Sequence, residues 1–111
     1  MLPGYTPAAT GGMQAEATMK VVAEVLAERG RQVAIGHTPA RDDVYVDAEL
    51  ARGSAAYALN ASRSTAAPLF WPWPGHTWQP AEARRDLIRS VALAIAEIER
   101  LDRAAAATVT A

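Results

Sequence analysis

The chain contains no cysteine, which excludes disulfides, thiolate zinc sites and cysteine nucleophiles. Two histidines, His37 and His76, leave little for a histidine-based metal site. An excess of one charge is also lacking. A net charge of −1 gives none of the basic surplus that nucleic-acid binders carry, so neither DNA nor RNA is an expected partner. No apolar run reaches the roughly 18 residues of a membrane span, and no membrane role is expected. Residues 1–12 show neither a basic start nor an apolar stretch, so no signal peptide is expected. GxSxG, Walker and GxGxxG patterns are missing, which leaves nucleophilic catalysis and a glycine-rich phosphate cradle without support.

Large apolar side chains are scarcer than the composition implies. Half of the 111 residues are apolar, but 26 of them are alanine. Burying a leucine is worth roughly 1.5–3 kcal/mol and alanine far less, so the core is expected to be thin and self-association favourable. The length fits one domain. Ten arginines stand against one lysine, Lys20. A GC-rich genome accounts for that bias, and phosphate recognition by guanidinium forks is the functional alternative.

The pattern predicts an all-α fold. It is a three-helix unit with a long Trp/Pro-rich loop between the second and third helices, packed as an oligomer. Residues 1–12, rich in Pro, Gly and Thr, read as a flexible lead, residues 13–103 as the helical domain, and residues 104–111 as a frayed tail. The first helix carries Met19, Val22, Val25, Leu26 and Val33 at helical spacing and stops at Gly36. Glu24 and Glu28 fall on its solvated side. Thr38-Pro39 suits a cap and first helical position. The second long helix is expected over Val46 to Ala61, with small residues, including Gly53 and Ser54, on one stripe. The third begins at Pro80 and runs to about Arg103, with Leu87, Val91, Ala94, Ile95, Ile98 and Leu101 as its apolar stripe.

Three constellations could carry function. Trp71, Trp73 and Trp78 lie in a loop stiffened by Pro72, Pro74 and Pro80. Indoles held in fixed geometry stack on nucleobases, at about 1–3 kcal/mol per base. They equally suit capping a thin core. Arg84 and Arg85 open the third helix, where guanidinium groups and free backbone N–H donors suit a phosphate. Acids cluster at Asp42, Asp43, Asp47 and Glu49, and Glu99 and Asp102 are spaced i,i+3. Adjacent carboxylates can share Mg²⁺, or simply cap helices.

Taken together, Glu28-Arg29-x-Arg31-Gln32, Gly36-x-Thr38-Pro39-x-x-Asp42-Asp43, Glu49-Leu50-Ala51, Ala55-Ala56-Tyr57-Ala58, Trp71-Pro72-Trp73, Trp78-x-Pro80, Arg84-Arg85-Asp86-Leu87 and the run Ala96 to Arg103 form a pattern that resembles a family of small, largely uncharacterised phage and prophage proteins. The resemblance implies the cytoplasm of an infected bacterial host. In that family's pattern a His often precedes the Asp pair, where this chain has Arg41.

The leading expectation is a nucleotide-binding protein that sequesters a host immune signal without cleaving it, with no cofactor and a homo-oligomeric state. Its ligand-binding residues are Thr38, Asp42, Asp43, Trp71, Trp73, Trp78, Arg84 and Arg85. The alternative is a Mg²⁺-dependent, MazG-like nucleotide pyrophosphohydrolase using Asp42, Asp43, Glu49, Glu99 and Asp102. Such enzymes pair E-x-x-E with E-x-x-D. Glu99-x-x-Asp102 fits the second half, but Glu24 and Glu28 are four apart and complete no first half. A protein-binding phage accessory factor is the third possibility.

Overall fold

A computed structural model of the chain describes residues 11–60 and 67–110. Of the lead expected over residues 1–12, positions 1–10 lie outside them, as do Ala111 and the expected end of the second long helix at Ala61, whereas Gly11 and Gly12 belong to a helix. The fold is all-α, and the described residues form four helices where three were expected: α1 (Gly11–Ala34), the one-turn α2 (Pro39–Asp42), α3 (Glu49–Asn60) and α4 (Ala83–Thr110). A 3₁₀ turn at Gly75–Thr77 sits in the Trp loop.

Local chemistry sets most boundaries. Gly36 takes φ +115°. It lets His37 N–H reach Gln32 O at 2.9 Å and Gly36 N–H reach Val33 O at 3.1 Å, the paired bonds that close a helix with a left-handed residue. Thr38 Oγ1 then accepts from Arg41 N, and Pro39 takes the first turn of α2. Gly30 does not interrupt α1. Helix α3 starts at Glu49, not Val46. Ala48 sits at φ 60°, and the Glu49 carboxylate accepts from Asp47 N at 2.6 Å. Helix α4 runs on through residues 104–110, where a frayed tail was expected. Its run of four alanines is the strongest helix former available, and Thr108 Oγ1 bonds back to Ala104 O and Ala105 O.

Helix α4 is the spine, with both α1 and α3 packed on it. Val25, Ile88 and Ala92 form the centre where α1 meets α4, with Ile95 against them. On the α3 side, Ser54 Oγ donates to Ser90 O at 2.7 Å, so the small stripe of α3 brings the two backbones close. The remaining apolar stripe of α1 stays open: Met19, Val22, Leu26 and Val33 are all exposed. The molecule measures 47 × 44 × 25 Å with a radius of gyration of 16.0 Å, against roughly 13 Å for a compact domain of about this length. It is a flat body with a thin core, as the alanine content requires.

Candidate functional site

The Trp loop folds back over α3. Gly53 makes this possible, because a Cβ there would stand 2.5 Å from Trp73 Cζ3 and 2.8 Å from Cη2. The ring occupies the space a side chain would fill. Trp71 packs edge-on against Trp73 (5.1 Å between centroids) and Trp78 (4.8 Å). Tyr57 stacks on Trp78 at 5.0 Å, and Tyr45 meets Trp73 at 5.7 Å. Trp71 Nε1 donates to Thr77 Oγ1 at 3.2 Å, which itself donates to Pro74 O. The indoles are therefore held in place by ring contacts and by the turn itself.

Between this aromatic wall and α1 lies a cavity of about 550 Å³. Gln32 and Arg31 from α1, Arg41 and Asp42 from α2, and Trp71 and Trp73 from the loop are among the residues lining it. Arg89 and Leu93 of α4 reach it from the side. Three polar atoms in residues of these walls are buried without a hydrogen-bond partner among the described residues: Gln32 Oε1, Asp42 Oδ1 and Trp73 Nε1. The Gln32 amide is oriented by Glu28, whose carboxylate accepts from Nε2 at 3.3 Å, so Oε1 is the atom left over. Asp42 spends Oδ2 on Arg29 Nη2 at 3.2 Å. An unpaired buried polar atom costs about 1–3 kcal/mol, and all three belong to residues that line this one cavity.

The electrostatics are organised by buried acids. Burial pushes the Glu28 carboxyl upward, but Arg31, Arg85 and Gln32 together outweigh it and hold Glu28 below the usual carboxylate range. Arg31 grips Glu28 through two bonds, at 2.8 and 2.7 Å, and Arg85 adds a third at 2.6 Å. Asp42 goes the other way. Burial raises its pKa against the pull of Arg29. Burial and the nearby Arg41 lower the pKa of His37, which lines the same cavity. Glu28 is wholly buried, contrary to the solvated position expected of it.

The expected ligand residues divide. Asp42, Trp71 and Trp73 meet at this cavity. Thr38 caps α2 and does not line it. Asp43 pairs with Arg103 at 2.8 Å on the outside. Trp78 is buried behind the wall, against Tyr57. Arg84 and Arg85 line a second cavity of about 400 Å³ on the other side of Glu28. Arg84 is clamped there by both oxygens of Glu24.

Four arginines, Arg29, Arg31, Arg41 and Arg89, line the first cavity, and Arg41 is distinct among them. Arg29, Arg31, Arg52, Arg84, Arg85, Arg89, Arg100 and Arg103 each form an ion pair. Among the described residues Arg41 does not, and its only side-chain bond is to Tyr45 Oη at 3.3 Å. Gln32, His37 and Tyr57 carried no signal beyond their residue type.

The acids named for a metal do not gather at one point. Arg29 Nη2 lies between Asp42, at 3.2 Å, and Glu99, at 3.4 Å, so a guanidinium already bridges these two. Glu49 caps a backbone N–H. Asp102 is exposed on α4. Among the described residues no three His, Asp or Glu side chains gather closely enough to hold an ion. No helix there is long and apolar enough to cross a membrane. Comparison with protein-family models, curated proteins and solved structures returns no match.

Proposed function

We propose that the protein binds a small phosphorylated ligand of the nucleotide class in the cavity between α1, α2, α3 and the Trp loop, and holds it without cleaving it. The observation that carries this reading is the set of unpaired atoms at one cavity, with Arg41 beside them. At about 550 Å³ the cavity lies within the range of small-molecule sites, about 300–1,000 Å³. Gln32 Oε1 and Asp42 Oδ1 accept from ligand N–H or O–H groups, and Trp73 Nε1 donates. Trp71, Trp73 and Tyr45 offer flat surfaces to a base. Arg41, free of any carboxylate, takes the phosphate. The arginine bonds of Glu28 and of Asp42 Oδ2 support binding rather than turnover. Combined with the resemblance to small phage proteins, such a binder would act by removing a nucleotide signal from the host's defence.

Thermal shift and calorimetry with mononucleotides, cyclic nucleotides, nucleosides and inorganic phosphate, with and without Mg²⁺, test the reading. Nucleotides are expected to raise the melting temperature, quench tryptophan fluorescence, and elute intact after heat release. Arg41→Ala should weaken nucleotides by about tenfold or more, the worth of one charge-assisted bond, and leave nucleosides unchanged. No response to any nucleotide overturns the proposal. Recovery of a Mg²⁺-dependent cleavage product overturns the non-cleaving part and restores the pyrophosphohydrolase alternative.

A further inference from the structure

We infer that α4 pairs with α4 of a second copy of this chain, antiparallel and centred on Ala94. Leu87, Val91, Ile98 and Leu101 are 49, 46, 57 and 52 % exposed, although they are among the largest apolar side chains in the helix. With the half-buried Ala94 they repeat at alternating spacings of four and three residues. That is the period of a helix seam that meets another helix, narrower than the stripe a helix turns to its own core. The core-facing side of α4 is a different one, carrying Ile88, Ala92 and Ala96.

Three features select a second copy as the occupant. The seam reads Leu, Val, Ala, Ile, Leu, so reversing its direction lays Leu87 on Leu101, Val91 against Ile98, and Ala94 on itself. An antiparallel two-fold axis through Ala94 therefore matches large to large at both ends, and the small central residue lets the helices approach. The charges agree as well. Arg84 and Asp102 stand about five full turns apart, which puts both on the same edge of the seam. In antiparallel pairing Arg84 of each copy, which also holds Glu24 of its own chain, faces the other's Asp102. Asp102 makes no ion pair within its own chain among the described residues, whereas every nearby acid of α4 does. Finally, the molecule is flat and exposes its seam along its longest element. A monomer rarely leaves so continuous an apolar row in water. Leu93, Ala96 and Arg89 line the cavity from elsewhere on the helix, so pairing leaves that cavity open. The inference stands independently of what the cavity binds.

The absence of native cysteine makes the test clean. Light scattering on the full chain at micromolar concentration is expected to give twice the 11.8 kDa chain mass. When L87C chains are mixed with L101C chains and oxidised, the mixed cross-link is expected to dominate. Ile98→Asp should yield a monomer with unchanged helical circular dichroism. Should Ile98→Asp lose helicity, Val91→Lys serves as the second disruption at an equally exposed position. A monomeric wild type, a cross-link formed by L87C with itself in preference to the mixed one, or a dimer untouched by a folded seam variant overturns the inference.

Discussion

One side of α4 carries Asp86, Ser90 and Ala92 into the protein, while another carries Leu87, Val91, Ile98 and Leu101 out to solvent. The ordinary division of a surface helix is reversed over much of its length. On the inner side Asp86 accepts from Ala81 N at 2.9 Å and from Arg89 at 3.2 Å, and Arg89 lies 5.6 Å from the centre of the Tyr57 ring. On the outer side the aliphatics touch little. The inner side thus combines charges and indoles with a small aliphatic core of Val25, Ile88 and Ala92, while several larger aliphatics stay at the surface. A thin, alanine-rich core makes that division possible, because few large residues are needed within.

Substitutions on the two sides separate these roles. The largest effect is expected from Trp78→Ala, which removes a buried indole stacked on Tyr57. A loss of about 3–5 kcal/mol in urea unfolding is expected. Next comes Glu28→Gln. It keeps the shape but leaves Arg31 and Arg85 facing a neutral group, and about 1–3 kcal/mol should go. Gly53→Ala sets crowding against Trp73, at about 1–3 kcal/mol, against a helix-propensity gain of about 1 kcal/mol. A small net loss with altered tryptophan emission is expected. On the outer side, Ile98→Ser should change the stability of the monomer by less than about 0.5 kcal/mol, measured under dilute conditions. A loss at Ile98 as large as that at Glu28 would break the comparison.

Acid sharpens it further. Glu28 has a lowered pKa in the fold, so its contribution is present above its unfolded value and fades as the pH falls through the folded one. The Glu28→Gln penalty should therefore shrink below about pH 4.3. Asp42 has a raised pKa. Its contribution is present below the ordinary aspartate value and lost as the pH rises through the folded one. Relative to wild type, Asp42→Asn should gain stability as pH rises, and urea midpoints across the acid range read both signs.

Much of this fold was written locally. The stop at Gly36 and the cap at Thr38-Pro39 depend on residues within a turn of each other, and the sequence pattern placed them well. The start of α3 did not follow from periodicity, because Ala48 adopts a conformation rare for a residue with a side chain. The site was legible in part. Asp42, Trp71 and Trp73 were recognisable by type and clustering. Which indole faces the cavity was decided by Gly53, at the far end of a loop. Glu28 looked solvated because its partner Arg85 lies 57 residues away. The arginine bias pointed to Arg84 and Arg85, whereas pairing with acids removes those two and leaves Arg41.

That leftover guanidinium has a consequence for how a ligand arrives. For the proposed anionic ligand, Arg41 is the one described arginine at the cavity without an ion pair, and a single charge is felt over a Debye length of about 8 Å at physiological salt. Capture should then depend only gently on ionic strength, unlike a polybasic surface, which loses orders of magnitude over the same range of salt. The proposed ligand would then be retained by fit against the indoles of the cavity rather than by long-range attraction.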